Sequence, residues 1–158
     1  MVLRPIEASD KDELQQGLHR LSPETVQRRF LAPKTHFTKA ELRYLTEVDG
    51  HDHVAIVVER KRQPGTIVGV GRYVRLKEDP DVAEPAIVVA DFLQGKGLGT
   101  LLAEALAVEA VRHGIQHFSA LMLGENRPAQ KLMARLTDQL DFHYDGAGAA
   151  DVTTDLVA

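Results

Sequence analysis

The chain has 158 residues, 44% hydrophobic and 27% charged, which is ordinary for one globular domain. With 19 Lys and Arg against 23 Asp and Glu, the formal net charge is −4, and this gives no support for broad nucleic-acid binding. The absence of cysteine excludes disulfides, thiolate zinc sites and a cysteine nucleophile. No apolar run approaches the roughly 18 residues of a membrane span, and the start lacks the apolar core of a signal peptide. We therefore expect one cytoplasmic domain over residues 1–158, without nucleic acid or membrane as a partner.

Three capping patterns predict three short helices before the first long strand. In each pattern a serine or threonine side chain can accept hydrogen bonds from free backbone N–H groups at a helix start. Apolar residues follow at helical spacing, as at Leu14, Leu18 and Leu21. The patterns are Ser9 with Asp12, Ser22 followed by Pro23, and Thr38 with Glu41.

From residue 53 onward, β-branched segments alternate with helical ones, which predicts an α/β (α+β) domain. The first two strands flank Gln63-Pro64-Gly65, a turn signal that predicts an antiparallel hairpin. A long helix from Gly97 to about His113 is predicted to end at Gly114, and a last helix to begin at Asn126. The strands are predicted at 53–59, 66–75, 83–90 and 116–123, with two more in 142–158 around Gly146 and Gly148.

The segment Gln94-Gly95-Lys96-Gly97-Leu98-Gly99 connects a predicted strand to the long helix. A helix start offers unpaired backbone N–H groups and the positive end of the helix dipole, and both favour an anion. The glycines let the backbone approach a phosphate without interference from Cβ atoms, and Lys96 adds a positive charge. The segment therefore predicts a binding site for a diphosphate.

The spacing of these glycines separates the known phosphate-binding motifs. A Walker loop has Ser or Thr after its Gly-Lys pair, whereas Lys96 is followed by Gly97. A dinucleotide fingerprint has the form G-x-G-x-x-G, whereas glycines at 95, 97 and 99 give G-x-G-x-G. The segment fits Gln/Arg-x-x-Gly-x-Gly/Ala, and it resembles the coenzyme A pyrophosphate signature of the GNAT superfamily of N-acetyltransferases.

The order of elements also resembles the GNAT fold over nearly the whole chain, which implies a central, mixed but mostly antiparallel sheet flanked by helices. More narrowly, the chain resembles the acetyltransferase domain of bacterial protein lysine acetyltransferases of the Pat type. This resemblance implies direct transfer of an acetyl group from acetyl-CoA to a primary amine in a ternary complex, with a protein lysine as the expected acceptor. Transfer to a small amine, and a coenzyme A-binding regulatory module without catalysis, are the alternatives; a homodimer is left open. The matching stretches lie at 20–24, 29–30, 45–49, 53–55, 67–73, 83–84, 88–91 and 124–127.

The resemblance also implies roles for particular residues. Glu84 matches the glutamate taken as the general base; the alternative is a solvated carboxylate that, with Asp79 and Asp81, only attracts a cationic substrate. The segment Ile87-Val88-Val89 matches a strand that bulges and splays from its neighbour, so that freed backbone groups pair with pantetheine and the thioester carbonyl. The remaining coenzyme-binding residues are expected to be Gln94, Gly95, Lys96, Gly97, Leu98, Gly99, Thr100 and Asn126.

The sequence departs from the family's pattern after the start of the last helix. Many relatives have a tyrosine seven residues after the asparagine that matches Asn126, proposed to protonate the departing thiolate, but this chain has Met133. Tyr144 could approach from elsewhere, so the general acid is left open. The usual Gly-Phe after this helix is also missing, since residues 136–142 read LTDQLDF.

The histidines do not predict a metal site. His113 and His117 are four residues apart, but Gly114 should end the helix between them, so that they do not share one face. The segment His51-Asp52-His53 lies before a strand and is interpreted as a polar loop. We therefore expect acetyl-CoA as a cosubstrate and no metal.

Overall fold

One seven-stranded sheet forms the centre of the computed structural model, which describes residues 1–137, 140–144 and 149–156. The strands, in chain order, are β1 (Val2–Pro5), β2 (His53–Arg60), β3 (Gln63–Arg75), β4 (Val82–Val89), β5 (His117–Leu123), β6 (Leu140–Tyr144) and β7 (Ala149–Asp155). Their order across the sheet is β1-β2-β3-β4-β5-β7-β6. All neighbours are antiparallel except β4 and β5, which are parallel. The prediction of a mixed, mostly antiparallel sheet is confirmed.

Five α-helices accompany this sheet in the described part of the chain. They are α1 (Lys11–Arg20), α2 (Pro23–Phe30), α3 (Lys39–Thr46), α4 (Leu98–Arg112) and α5 (Arg127–Arg135). Helix α4 packs on β2, β3 and β4, α5 packs on α4 and β7, and α1 packs on β3 and α3. Among the described residues, no helix combines the length and the hydropathy needed to cross a membrane.

Two of the three predicted helix caps are confirmed. The side chain of Ser22 accepts a hydrogen bond from the backbone N–H of Thr25 at 3.2 Å. Thr38 and Glu41 form a reciprocal capping box, each bonded to the other's backbone N–H at 3.1 Å. The Ser9–Asp12 cap is wrong, because Asp10 lies at the start of α1 and accepts from the backbone N–H of Glu7 at 2.7 Å.

The hairpin of β2 and β3 is present, but its turn lies before the predicted Gln63-Pro64-Gly65. Arg60 pairs with Gln63, which leaves only residues 61–62 in the turn. The next pair is Glu59 with Ile67, so that residues 64–66 bulge out of the ladder. Gly65 has φ +87°, and the proline and glycine therefore serve a β-bulge rather than the turn.

One strand was missed by the sequence analysis, whereas the last two strands and the cap after α4 were predicted. Strand β1 was not predicted, because four residues ending in a proline carry little periodic signal. The two strands expected in 142–158 are present as β6 and β7, while Gly146 and Gly148 lie outside the described residues. Gly114 follows α4 with φ +81°, as the predicted left-handed cap requires.

The two faces of the sheet are covered by different helices, and glycines in β3 allow the close approach of α4 on one of them. A Cβ atom on Gly69 would lie 3.3 Å from Cδ1 of Leu102, and one on Gly71 would lie 3.0 Å from Cδ1 of Leu106. The missing side chains let α4 lie close against β3. On the opposite face, buried residues of β2 and β3, such as Val57 and Val70, pack with apolar residues of α1, α2 and α3.

Candidate functional site

Strands β4 and β5 are neighbours for only two residue pairs. They pair at Val82–His117 and Ala83–Phe118, whereas β4 continues in register with β3 as far as Val89–Gly69. The edge of β4 beyond Ala83 is therefore unpaired on the β5 side, and its outward backbone groups are available to a ligand. The splay expected for Ile87-Val88-Val89 is present, but the register against β3 is uninterrupted, so the expected bulge there is wrong.

The glycine turn lies at the wide end of this opening, just before α4. Gly95 and Gly97 have φ values of +74° and +86°, a region that side chains with a Cβ rarely adopt. Gly97 caps α4, and no side chain caps it, so the first amides of the helix are open to an anion. Gly99 serves packing, because a Cβ there would lie 3.3 Å from Cδ1 of Leu132 in α5.

Gln94 fixes the turn to its surroundings through its side-chain amide. Its Nε2 donates to the carbonyl of Val89 at 3.0 Å, to Oγ1 of Thr25 at 3.1 Å and to Oδ1 of Asp91 at 3.2 Å. These bonds join the end of β4, the start of α2 and the glycine turn. The side-chain amide nitrogen of Gln94 thus positions the turn.

A cleft of about 520 Å³ lies between the end of β4, α2, the glycine turn and α5. Its charged lining residues are all cations: Arg28, Arg29, Lys131 and Arg135. No carboxylate lines the cleft within the described part of the chain. Of the expected coenzyme-binding residues, the lining includes Ile87, Val88, Val89, Gln94, Gly95, Gly97, Gly99, Thr100 and Asn126. Lys96 is exposed beside the turn, and Leu98 is buried in the core, so neither side chain lines it.

Asn126 and Met133 lie at the start and in the body of α5. Asn126 is buried, and its Oδ1 accepts a hydrogen bond from the backbone N–H of Ala129 at 3.3 Å, as a helix cap does. It also lines the cleft, so its two expected roles are compatible. Met133 is buried in the core with Leu106 and Phe118, and its thioether carries no proton to donate. The side chain of Tyr144 lies outside the described part of the structure.

A second cavity, of about 490 Å³, lies on the other face of β4, under α1 and α2. Both cavities are lined by Arg29 and Val88, so they adjoin each other near the end of β4. Glu84 faces Val74 across the β3–β4 pair, and it shares a face of the sheet with Ala86 and Val88. Its carboxylate is exposed and lines neither cavity. Val88 lines the second cavity, so Glu84 lies on the same side of the sheet as that cavity, four residues earlier in β4.

Arg72 of β3 is a buried cation that the sequence interpretation left without a role. It is only 5% exposed, and its Nη1 donates to the carbonyl of Leu45 and to Nε2 of His53, both at 3.0 Å. Burial, with the charge of Arg29 as a second cause, lowers the pKa of Arg72 to about 10. Burial also lowers the pKa of Arg29, which the charge of Glu84 opposes. The sequence signal for this buried cation is a charged residue between Gly71 and Tyr73, in an otherwise apolar stretch of β3.

The polar loop before β2 is organised by its own hydrogen bonds. Oδ1 of Asp49 accepts from the backbone N–H groups of His51, Asp52 and His53, each at 2.9 Å. Asp52 also accepts from Arg75 at 2.9 Å. His51 and Asp52 therefore form a loop as predicted, whereas His53 begins β2 and is buried.

His113 and His117 have separate partners. Nδ1 of His113 lies 2.8 Å from the carbonyl of Glu109, and Nδ1 of His117 lies 2.6 Å from Oδ1 of Asp155. Helix α4 ends at Arg112, before both histidines. The two imidazoles thus take part in different local contacts.

The chain belongs to the acetyltransferase (GNAT) family, which it matches over residues 17–137. The resemblance drawn from the glycine turn and the scattered stretches is thereby confirmed. Acetyltransferase Pat from Mycolicibacterium smegmatis is 37% identical over 134 residues, which are 85% of this chain and 40% of Pat. Acetyltransferase PA5475 from Pseudomonas aeruginosa is 30% identical over 138 residues, or 86% of this chain and 73% of that protein.

Among solved structures, the GNAT domain of S. lividans PAT superposes with a TM-score of 0.85 at 26% identity. The match covers 98% of this chain and 89% of that domain. The chain spans about two fifths of the length of Pat from M. smegmatis, so it corresponds to one part of that relative.

Proposed function

We propose that this domain transfers an acetyl group from acetyl-CoA to a primary amine, and that the amine is a lysine side chain of a protein. The observation that carries the proposal is the cleft at the end of β4, which combines an unpaired strand edge, a glycine turn and an all-cationic set of charged residues. Membership of the acetyltransferase family and the names of the relatives support the same activity. The choice of a protein lysine rests on the resemblance to Pat-type enzymes.

The cleft has the chemistry that an acyl-coenzyme A would need. The pyrophosphate would lie against the amides of the glycine turn and the start of α4, where the helix dipole favours negative charge. Arg28, Lys131 and Arg135 would bind the remaining phosphate charge. The unpaired edge of β4 would bind the amide-containing arm through its backbone, so the apolar side chains of Ile87 and Val89 need only fill space.

The acceptor amine must lose a proton before it can form an amide. A lysine amine has a pKa near 10.4, so making it neutral at pH 7 costs about 4.6 kcal/mol. Acetyl-CoA supplies the activated thioester. Glu84 is the proposed proton acceptor, directly or through water, since its exposed carboxylate stands on the strand that both cavities share. Met133 cannot protonate the leaving thiolate, and a thiol pKa near 8.5 lets water do so.

Two further properties of the molecule stay proposals. We expect the protein in the cytoplasm, and we expect that a homodimer, if it forms, leaves the cleft open to coenzyme. Cell fractionation and light scattering of the purified chain test these two points.

The test of the proposed function is acetyl-CoA turnover with a lysine-bearing protein. Because this chain contains no cysteine, a thiol reagent reports only the released coenzyme A when the acceptor protein also lacks cysteine. Mass spectrometry should find acetylated lysines in the acceptor protein. Turnover with free polyamines but not with protein lysines would favour the small-amine alternative. Tight binding of acetyl-CoA without turnover on any amine would favour a regulatory module.

A further inference from the structure

The second cavity contains positive charge that has no carboxylate partner among the described residues. Most of its wall is apolar, for example at Leu14, Leu18 and Val70. Elsewhere in the wall, the charge of Arg20 is neutralised by Glu13, and Arg60 stacks on the ring of Phe92 at 4.9 Å. Arg29 and Arg72 also line the cavity.

Arg29 and Arg72 have no carboxylate within salt-bridge distance among the described residues, whose arginine ion pairs involve Arg4, Arg20, Arg75 and Arg112. Nη1 of Arg72 makes both of that residue's hydrogen bonds, one to a carbonyl and one to a neutral imidazole. Its Nε and Nη2 make none with the described part of the chain. Arg29 stacks on the ring of Phe30 at 4.7 Å and donates no hydrogen bond there. Two cations of this kind in a cavity are costly unless an anion joins them.

The groups around the pair do not supply that anion. Asp91, which also lines the cavity, accepts from Oγ1 of Thr25 at 2.6 Å and from the backbone N–H of Ser22 at 2.8 Å. Glu84 is close enough for its charge to act on Arg29, but it is solvent-exposed and makes no ion pair with the residues that the structure describes. The fork of an arginine side chain matches a carboxylate in geometry as well as in charge.

We infer that the acceptor amine of this enzyme also carries a carboxylate, and that Arg29 and Arg72 bind that carboxylate in the second cavity. The inference rests on the proposed acetyl transfer and specifies its acceptor. In that reaction the amine nitrogen forms a bond to the thioester carbonyl carbon, the carbon–sulfur bond breaks, and the sulfur leaves with the bonding electron pair. The ammonium loses one proton, which passes through Glu84 or water to solvent, and the nitrogen loses a second proton as the amide forms, which ends on the sulfur. The carboxylate takes no part in these steps and serves recognition alone.

Two sources could present this chemistry, a free amino acid and a lysine beside an acidic residue in a protein. Matched pairs of acceptors separate them. L-lysine differs from cadaverine only by the α-carboxylate, and two peptides can differ only by Glu or Gln next to one lysine. In each pair kcat/KM is measured by release of coenzyme A. We expect the carboxylate-bearing member of at least one pair to be preferred by about 10- to 100-fold, the range for a hydrogen-bonded charge. Preference within the free pair alone identifies a small acceptor, and preference within the peptide pair alone identifies a protein.

Two variants connect the preference to the arginines. Arg29→Gln removes a half-buried cation without hydrogen-bond partners, and Arg72→Lys keeps the charge but loses the fork. In both variants, the ratio of kcat/KM between the two members of a pair should fall toward one. Arg43→Gln is the control, because Arg43 is an exposed arginine on α3 that lines neither cavity. If Arg72→Lys fails to fold, the effect of Arg29→Gln on the acceptor preference is the test.

The outcomes separate this inference from the proposed function. Equal rates within both pairs in the unmodified enzyme would overturn the inference and leave acetyl transfer intact. An equal loss for both members of a pair in Arg29→Gln would do the same, since it would assign Arg29 to the coenzyme or to the fold. Turnover of none of the four acceptors would contradict the proposed function, and the inference with it.

Discussion

Nη1 of Arg72 donates one hydrogen bond to Nε2 of His53 and another to the carbonyl of Leu45, each over 3.0 Å. A guanidinium only donates, so Nε2 of His53 must accept, and the imidazole must be neutral with its proton on Nδ1. Burial first, and the charge of Arg72 second, lower the pKa of His53 to about 4. The ring of Tyr44 covers this imidazole at 4.9 Å. The position of Arg72 therefore depends on a histidine that must stay uncharged.

Acidification should destabilise the protein through His53. The pKa of His53 is about 4 in the folded state against the ordinary 6.5, so between these values the unfolded chain binds a proton that the folded chain does not. The free energy of unfolding should thus fall as the pH drops from about 6.5 to about 4, by roughly 2–3 kcal/mol for this residue. Urea unfolding measured at half-unit pH steps gives the profile.

The control is the same pH series of urea unfolding on His53→Gln, whose side-chain amide oxygen can still accept a hydrogen bond from Arg72 but does not titrate. Carboxylates such as Asp10 and Asp91, whose pKa values are lowered, also lose stabilisation in acid, but they are present in both proteins. The unmodified protein should therefore lose more stability than the variant between pH 6.5 and 4.5. Parallel profiles would show that His53 titrates normally in the folded state.

Gly97→Ala should weaken coenzyme binding more than it weakens the fold. Its φ of +86° costs an alanine roughly 1–2 kcal/mol, although no atom lies within 4 Å of the added Cβ. The substitution should therefore shift the turn and lower the affinity for acetyl-CoA about tenfold, measured by calorimetry. Gly65→Ala is a matched control, because Gly65 has φ +87° with the same open space but lies in the β2–β3 bulge. Equal affinities for acetyl-CoA in the two variants would contradict the assignment of the glycine turn.

The features that could be predicted from the sequence are those that neighbouring residues determine. The glycine turn, the caps at Ser22 and Thr38 and the left-handed Gly114 each need only a few consecutive residues. The same local logic misplaced the hairpin turn, since Pro64 and Gly65 fit a turn and a bulge equally well, and only the register between the strands decides.

The second cavity could not be predicted, because its cations come from distant parts of the chain. Arg29 and Arg72 line one cavity only after α2 packs against β4, and each lay in a stretch that matched the family without a stated role. Likewise, the Ser9–Asp12 cap failed because Ser9 lies in a short 3-10 turn before α1, where Asp10 binds Arg4 of β1 at 2.8 Å. Ion pairs between separate elements are invisible to a capping rule.

Lys131→Gln should lower the affinity for acetyl-CoA by about fivefold, as expected for one exposed charge against a phosphate. Lys131 lines the cleft on α5, where no carboxylate of the described residues pairs with it. The effect should shrink at high ionic strength, because salt screens exposed charges. Lys61→Gln, in the exposed β2–β3 turn, removes the same charge away from the cleft and should leave the affinity unchanged. An equal loss in both variants would indicate attraction by net charge alone.

Glu84→Gln should lower kcat by about 100-fold at pH 7 and by less at pH 9.5, because more of the acceptor amine is then neutral without a base. Asp81→Asn is the control, since Asp81 is an exposed carboxylate near the start of the same strand. If the acidic residues only attract a cationic acceptor, both variants should raise KM alike and leave kcat unchanged. If Glu84 is the base, Asp81→Asn should behave like the unmodified enzyme, and the loss in Glu84→Gln should shrink steadily with rising pH. A loss in Glu84→Gln that is the same at both pH values would assign Glu84 to positioning rather than to proton transfer.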